Sequence, residues 1–245
     1  MVSFTTVMVA ALAVVVSAAP GCQPPIKYTL PKIGGGDELA APAAGLVVKK
    51  IAIGHGIQNY TCDSATATES AATGAVAMLY DVTDFYPGTR SSGIRPDLWD
   101  NLPANLLRHQ ALPLNKLPGT EYGADPNTPF PEPSDLTLDG IPAAKFLGHH
   151  VFDIESIPVF DLSAAGLRAT VKKIDGKNAP KNADKGILDT GAVAWLQLDD
   201  NGQGHSTGVS SVFRVVTAGG AARPCSVAGA GVQSVPYATY YWFFG

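Results

Sequence analysis

Short apolar runs recur along this chain, and turn-forming residues close nearly every one. Leu46–Ile53 (LVVKKIAI), Gln58–Cys62, Gly74–Val82 (GAVAMLYDV), Ala144–His150, Arg168–Ile174 (RATVKKI), Ala192–Leu198 (AVAWLQL), Val209–Thr217 (VSSVFRVVT) and Tyr237–Phe244 all have strand character. Gly, Pro, Asn or Asp bounds each of them, the punctuation of short strands. The pattern predicts an all-β fold, an antiparallel β-sandwich or barrel-like domain, with a two-sheet sandwich as the first expectation. Asp199-Asp200-Asn201-Gly202 predicts a hairpin between two of the strands. No repeat of 20–50 residues is visible.

The stretch 83–142 breaks this rhythm. It holds ten of the 19 prolines and reads as a long, irregular, Pro-rich insert packed over the sheets. Leu98, Leu106 and Leu107 fall on one side of a helical stretch in Asp97–His109, and Pro103 limits that stretch to short pieces.

Composition sharpens the picture. Of 245 residues, 46% are hydrophobic and 16% charged, against roughly 25% charged in an average domain. The net charge of -4 argues against a nucleic-acid partner, which needs a basic face. Residues Val7–Val16 form an apolar run of signal-peptide length, too short for a bilayer span of about 20 residues. Small residues at Val16-Ser17-Ala18 place cleavage after Ala18, so 1–18 is expected to be a signal peptide and 19–245 a secreted, extracellular domain with no membrane anchor.

The cysteines fit an oxidising compartment. There are three, Cys22, Cys62 and Cys225, enough for one disulfide. Cys62 and Cys225 lie within the strand-forming part, and pairing them is the preferred expectation; a pairing that uses Cys22 stays open. No CxxC or Cys/His cluster suggests a metal. Asn59-Tyr60-Thr61 is an N-glycosylation sequon. In an alternating strand with Cys62 inward, Asn59 points outward, which favours a glycan there.

Several motifs tempt and fail. Gly204-His205-Ser206-Thr207-Gly208 spells GxSxG, but the segment that follows reads as a strand, and no His, Asp or Glu lies beyond His205 to complete a triad. Asp189-Thr190-Gly191 matches half of an aspartic-protease pair, and no second copy exists. Gly54-His55-Gly56 after a strand imitates a dinucleotide fingerprint, yet no helix follows to face a pyrophosphate. Asp199, Asn201 and Gln203 alternate like a calcium loop, but Ser210 stands where Glu is needed. The aromatics Trp195, Phe213, Tyr237, Tyr240, Tyr241 and Trp242 could stack on sugars and read first as core. His149, His150 and Asp153 are the best remaining candidate binding residues. On a strand the two histidines face opposite sides, so the expected picture is one inward His bonded to Asp153.

Taken together, GIQNYTC, LGHHVF, GAVAWLQL, VFRVVTAGGAARPCS and VPYATYYWFF resemble a secreted fungal and bacterial family known as domain of unknown function 3455 (DUF3455). The resemblance covers roughly 51–83 and 142–244 and leaves the insert outside. It implies a Cys62–Cys225 disulfide and no established activity or catalytic residues. Members are often labelled malate dehydrogenase automatically. This chain gives that label no support, lacking a dinucleotide element and a paired Arg cluster for a dicarboxylate. The functional expectation is a secreted or cell-wall-associated protein, without cofactor, that binds a cell-wall polysaccharide or small ligand. The alternative is a secreted enzyme with a non-standard site near His149, His150 and Asp153.

Overall fold

The computed structural model describes residues 26–89 and 92–245; the expected signal peptide at 1–18 and Cys22 lie outside them. Eight strands follow one another: β1 (Val48–Cys62), β2 (Ala71–Asp81), β3 (Lys145–Phe152), β4 (Pro158–Leu162), β5 (Leu167–Lys177), β6 (Trp195–Asp200), β7 (Ser211–Gly219) and β8 (Gly231–Phe244). Each pairs antiparallel with the next, and β8 returns to pair with β1 from Val48↔Phe244 to Cys62↔Gly231. The result is a closed up-and-down barrel rather than two stacked sheets. Closure removes the free edges that an open sheet would present.

Side-chain alternation divides the strands into two apolar layers. Inside the barrel lie Ala52, Ala77, Leu79, Leu147, Phe160, Leu162, Ala169, Val171, Leu198, Val212, Tyr237, Tyr241 and Phe243, contributed by all eight strands. This lumen is filled, as expected of an eight-stranded barrel. Outside, Ile51, Ile53, Met78, Tyr80, Phe213, Val215, Tyr240 and Trp242 form a second layer. β8 is therefore buried on both faces, which is why VPYATYYWFF shows no polar alternation.

The insert covers that outer layer. Its helix α1 (Pro96–His109) is continuous through Pro103, not broken into pieces. Pro96 opens the helix, where its missing N–H costs nothing, and Asp97 and then Arg108 and His109 complement its dipole. Trp99, Leu102, Leu106 and Leu107 face the barrel. Pro103 cannot donate to the Trp99 carbonyl one turn earlier. The Tyr240 hydroxyl donates to that carbonyl instead, at 2.8 Å, and the Tyr240 ring stacks on Trp99 at 4.4 Å. A barrel side chain thus repairs the gap that would otherwise break the helix. Arg108 holds the far end of α1 by two bonds to Asp184, at 2.7 and 2.9 Å.

Strand limits differ from the sequence expectation in several places: β8, for one, begins at Gly231 rather than Tyr237. Leu46–Ile53 and Gln58–Cys62 are one strand, because Gly54 and Gly56 continue it with their missing side chains turned inward. A Cβ on Gly54 would sit 2.7 Å from the Tyr241 ring, so the glycine makes room for it. β4, short and opened by Pro158, had no counterpart among the expected strands. No helix among the described residues is long and apolar enough to cross a membrane.

Candidate functional site

The structure separates the three residues expected to form a site. His149 and His150 do face opposite sides of β3, but neither bonds to Asp153. His150 points into the lumen and stacks flat on Phe160 at 4.0 Å. Its Nδ1–H donates to the Val159 carbonyl at 2.9 Å, and burial lowers its pKa to about 4. His149 points outward, half-buried against Phe130 of the insert at 3.9 Å. Burial lowers its pKa, partly countered by Asp161. Asp153 caps its own turn, accepting from the Glu155 and Ile157 N–H groups at 2.9 Å each. The expected inward His–Asp153 pair is thereby corrected: the partner of the inward histidine is a backbone carbonyl.

The other motifs have structural roles. Ser206 Oγ accepts from the Thr170 N–H at 3.0 Å and donates to the Thr170 carbonyl, fastening the β6–β7 loop to β5. Asp189 is exposed at a turn, with Lys185 as its ion partner at 3.9 Å. Asp199 accepts from the Ser211 hydroxyl at 2.7 Å, and Asn201 donates to Gln203 at 2.8 Å. The six aromatics weighed as a sugar platform are all buried. Among the described residues, no three His, Cys, Asp or Glu side chains gather as a metal site would require.

A sizeable concavity among the described residues lies elsewhere. A groove of about 920 Å³ runs along the barrel end where β1 and β3 finish and β2 and β8 begin. Asn59, Gly74, Ser234 and Val235 form its floor. Thr120–Asp125 of the insert form one wall, and Arg223 with Ala228 the other. His149, His150 and Asp153 line neither this groove nor three smaller cavities found elsewhere on the molecule.

Both walls are held by bonds independent of any ligand. In the insert wall, Leu117 N–H donates to the Gly123 carbonyl at 2.8 Å, and Asp125 N–H to the Asn115 carbonyl at 2.8 Å. The Asn115 amide reaches back to the Thr128 and Phe130 carbonyls. In the opposite wall, the Gln233 side chain accepts from the Arg223 N–H at 3.0 Å and donates to the Arg223 carbonyl at 3.1 Å. The Cys62–Cys225 disulfide, with an S–S length of 2.04 Å, pins the same loop to the end of β1. It is the pairing the sequence favoured.

The lining offers hydrogen bonds of both senses. Burial, then the adjacent Glu121 carboxylate, raises the pKa of Tyr122, so its hydroxyl stays neutral. The Asn127 N–H holds the Asp125 carboxyl low, so that group stays ionised. Asn59 Oδ1 accepts from the Ser234 hydroxyl at 2.8 Å, which turns the sequon asparagine toward the groove floor. Nothing in the sequence pattern marked Tyr122, Arg223 and Gln233. Their placement depends on the disulfide and on the reach of the insert, and no local spacing carries it.

A family model for a protein of unknown function, DUF3455, matches residues 42–245. The chain belongs to that family. No match exists among curated proteins or among solved structures. The DUF3455 span runs through the insert, which the resemblance had left outside; both walls of the groove therefore lie within the matched region.

Proposed function

We propose that this DUF3455 protein is secreted and binds a short cell-wall oligosaccharide in the groove at the end of its barrel, without acting on it. The observation that carries the reading is the groove. It is large, has walls fastened by hydrogen bonds and the disulfide, and is lined by two aromatic rings, amides, hydroxyls, one guanidinium and two carboxylates. A simple anion would meet Glu121 and Asp125, and a simple cation would meet Arg223. A neutral polyhydroxylated chain uses donors and acceptors of both kinds and can lie against Tyr122. The apolar run Val7–Val16, of signal-peptide length, and the disulfide support secretion. An enzyme built on His149, His150 and Asp153 lacks supporting geometry, because those groups face the insert, the lumen and solvent respectively.

Retention on insoluble chitin and β-glucan tests the proposal. The protein is expected to be held at both low and high salt. Tyr122→Ala and Arg223→Ala, on exposed or half-exposed loops, are expected to weaken retention about tenfold, the scale of one good contact of about 1.4 kcal/mol. Passage of the intact protein through every polysaccharide at both salt concentrations overturns it.

Asn59 bears on the same test. A glycan on its Nδ2 would start on the groove floor and compete with an external chain. Glycosylation at Asn59 and ligand binding in the groove are therefore alternatives for one molecule, and intact mass before and after glycosidase treatment decides which is present.

A further inference from the structure

A second cavity, of about 310 Å³, lies between the barrel and the insert. His55 of β1 lines it, opposite Leu107 at the end of α1, and Leu112, Leu114, Tyr122 and Ile187 complete its apolar surround. The charged side chains on its lining, Lys116 and Glu121, are both exposed. The space equals that of about ten waters at their share of liquid volume.

His55 is the unusual member. It is 1% exposed, and its Nε2 has no hydrogen-bond partner. Burial alone lowers its pKa to about 4, so the ring is neutral at ordinary pH. Buried polar atoms in native proteins are nearly always bonded, and an exception calls for an explanation. Gly54 and Gly56 on either side turn into the lumen and leave His55 the only β1 side chain that lines this cavity. His55 is the one buried polar side chain on a lining that also includes half-buried Gln110 and Tyr122, and a mainly apolar cavity with few polar groups has the composition of a small-molecule site.

We propose that this cavity binds a small, neutral, mainly apolar molecule carrying one hydroxyl, anchored on His55 Nε2. A hydroxyl can both donate and accept, so it satisfies the imidazole in either tautomer. The apolar remainder fills the space among the leucines. The site is separate from the oligosaccharide groove, and segment 121–123 of the insert forms a wall between the two.

The test uses p-cresol as probe and toluene as its hydroxyl-free counterpart, with the protein labelled with ¹⁵N at histidine. p-Cresol is expected to shift the His55 imidazole resonances and to bind about tenfold more tightly than toluene, the difference one hydrogen bond makes. Leu112→Trp, on the half-buried insert side, fills the cavity without touching the barrel and is expected to abolish binding. His55→Phe keeps an aromatic ring but removes the polar nitrogen, and is expected to bring p-cresol down to the affinity of toluene. Should His55→Phe fail to fold, Leu112→Trp and the ligand pair still decide. Equal affinity for the two probes, an unmoved His55 signal at saturating p-cresol, or undiminished binding by Leu112→Trp each overturns the proposal. So does a high-resolution structure in which water bonded to Nε2 persists in the presence of p-cresol.

Discussion

Tyr240→Phe is the sharpest test of how the insert is held to the barrel. The substitution leaves the ring stacked on Trp99 and removes only the hydroxyl that donates to the Trp99 carbonyl at 2.8 Å. Because Pro103 has no N–H, that carbonyl then has no helical partner. A buried polar group stripped of its partner costs about 1–3 kcal/mol, a fall in Tm of about 2–4 °C per kcal/mol in a protein of this size. The loss should also disappear in a definite background. In Pro103→Ala protein the new alanine supplies the missing N–H to the Trp99 carbonyl, and Tyr240→Phe should then cost no more than about 0.5 kcal/mol, the low end for one net hydrogen bond. Equilibrium urea unfolding of the four proteins, followed by tryptophan fluorescence, measures the coupling. A cost for Tyr240→Phe that is the same in both backgrounds, within the few tenths of a kcal/mol expected of independent sites, refutes the role given to the Tyr240 hydroxyl.

Three further outcomes follow. Cys225→Ser removes a bond closing a loop of 163 residues; it is expected to cost up to about 5 kcal/mol in the chain-entropy description, measurable as a lower urea midpoint, and to weaken polysaccharide retention by releasing the Arg223 loop. His55 and His150 each have a folded pKa near 4, below the ordinary 6.5, so between these values the unfolded chain binds protons that the folded one does not. Stability is then full above pH 6.5 and falls as pH drops toward 4, by at most about 3 kcal/mol per histidine; a flat urea midpoint across that window contradicts it, and His150→Phe should flatten part of the slope. Gly56→Ala would drive a methyl into the Val76 carbonyl oxygen and to within 2.6–2.7 Å of Ala77 and is expected to cost about 3 kcal/mol or more by overpacking against backbone, whereas Gly202→Ala, at an open loop, removes only its positive-φ freedom and should leave the barrel intact.

Much of the barrel was legible in the sequence, since seven of its strands carry β-branched or aromatic runs ended by turn residues. What was not legible has definite causes. The glycines of Gly54-His55-Gly56 look like an interruption locally, and only the Tyr241 ring packed against them in the lumen explains them. Pro103 looks like a helix breaker until Tyr240, well over a hundred residues away, supplies the missing bond. Barrel against sandwich could not be decided, because the distinction rests on whether the first and last strands pair, a contact with no local signature. Strand parity correctly set His149 and His150 on opposite faces, yet the role given to Asp153 overlooked that an Asp beside a tight turn bonds first to its own backbone. The groove was hidden for the same reason as the closure: Tyr122, Asn59 and Arg223 meet only after the insert has crossed the outside of the barrel and the disulfide has drawn in the β7–β8 loop.

The pairing of β1 with β8 has a consequence for how the molecule comes into being. Val47 and Gly245 exchange backbone hydrogen bonds at 3.2 and 3.1 Å, so the ring is joined where its two extremes in sequence meet. During synthesis β1 is made early, and its ladder with β8 cannot form until the final strand has left the ribosome. Throughout that interval the nascent chain exposes one long unpaired strand edge, together with the apolar surface that β8 will cover, the two features that favour association with neighbouring chains. Barrel closure is therefore dominated by contacts of very large sequence separation and is expected to be slow, so it places a premium on keeping the unfinished chain from pairing its open edge with a neighbour.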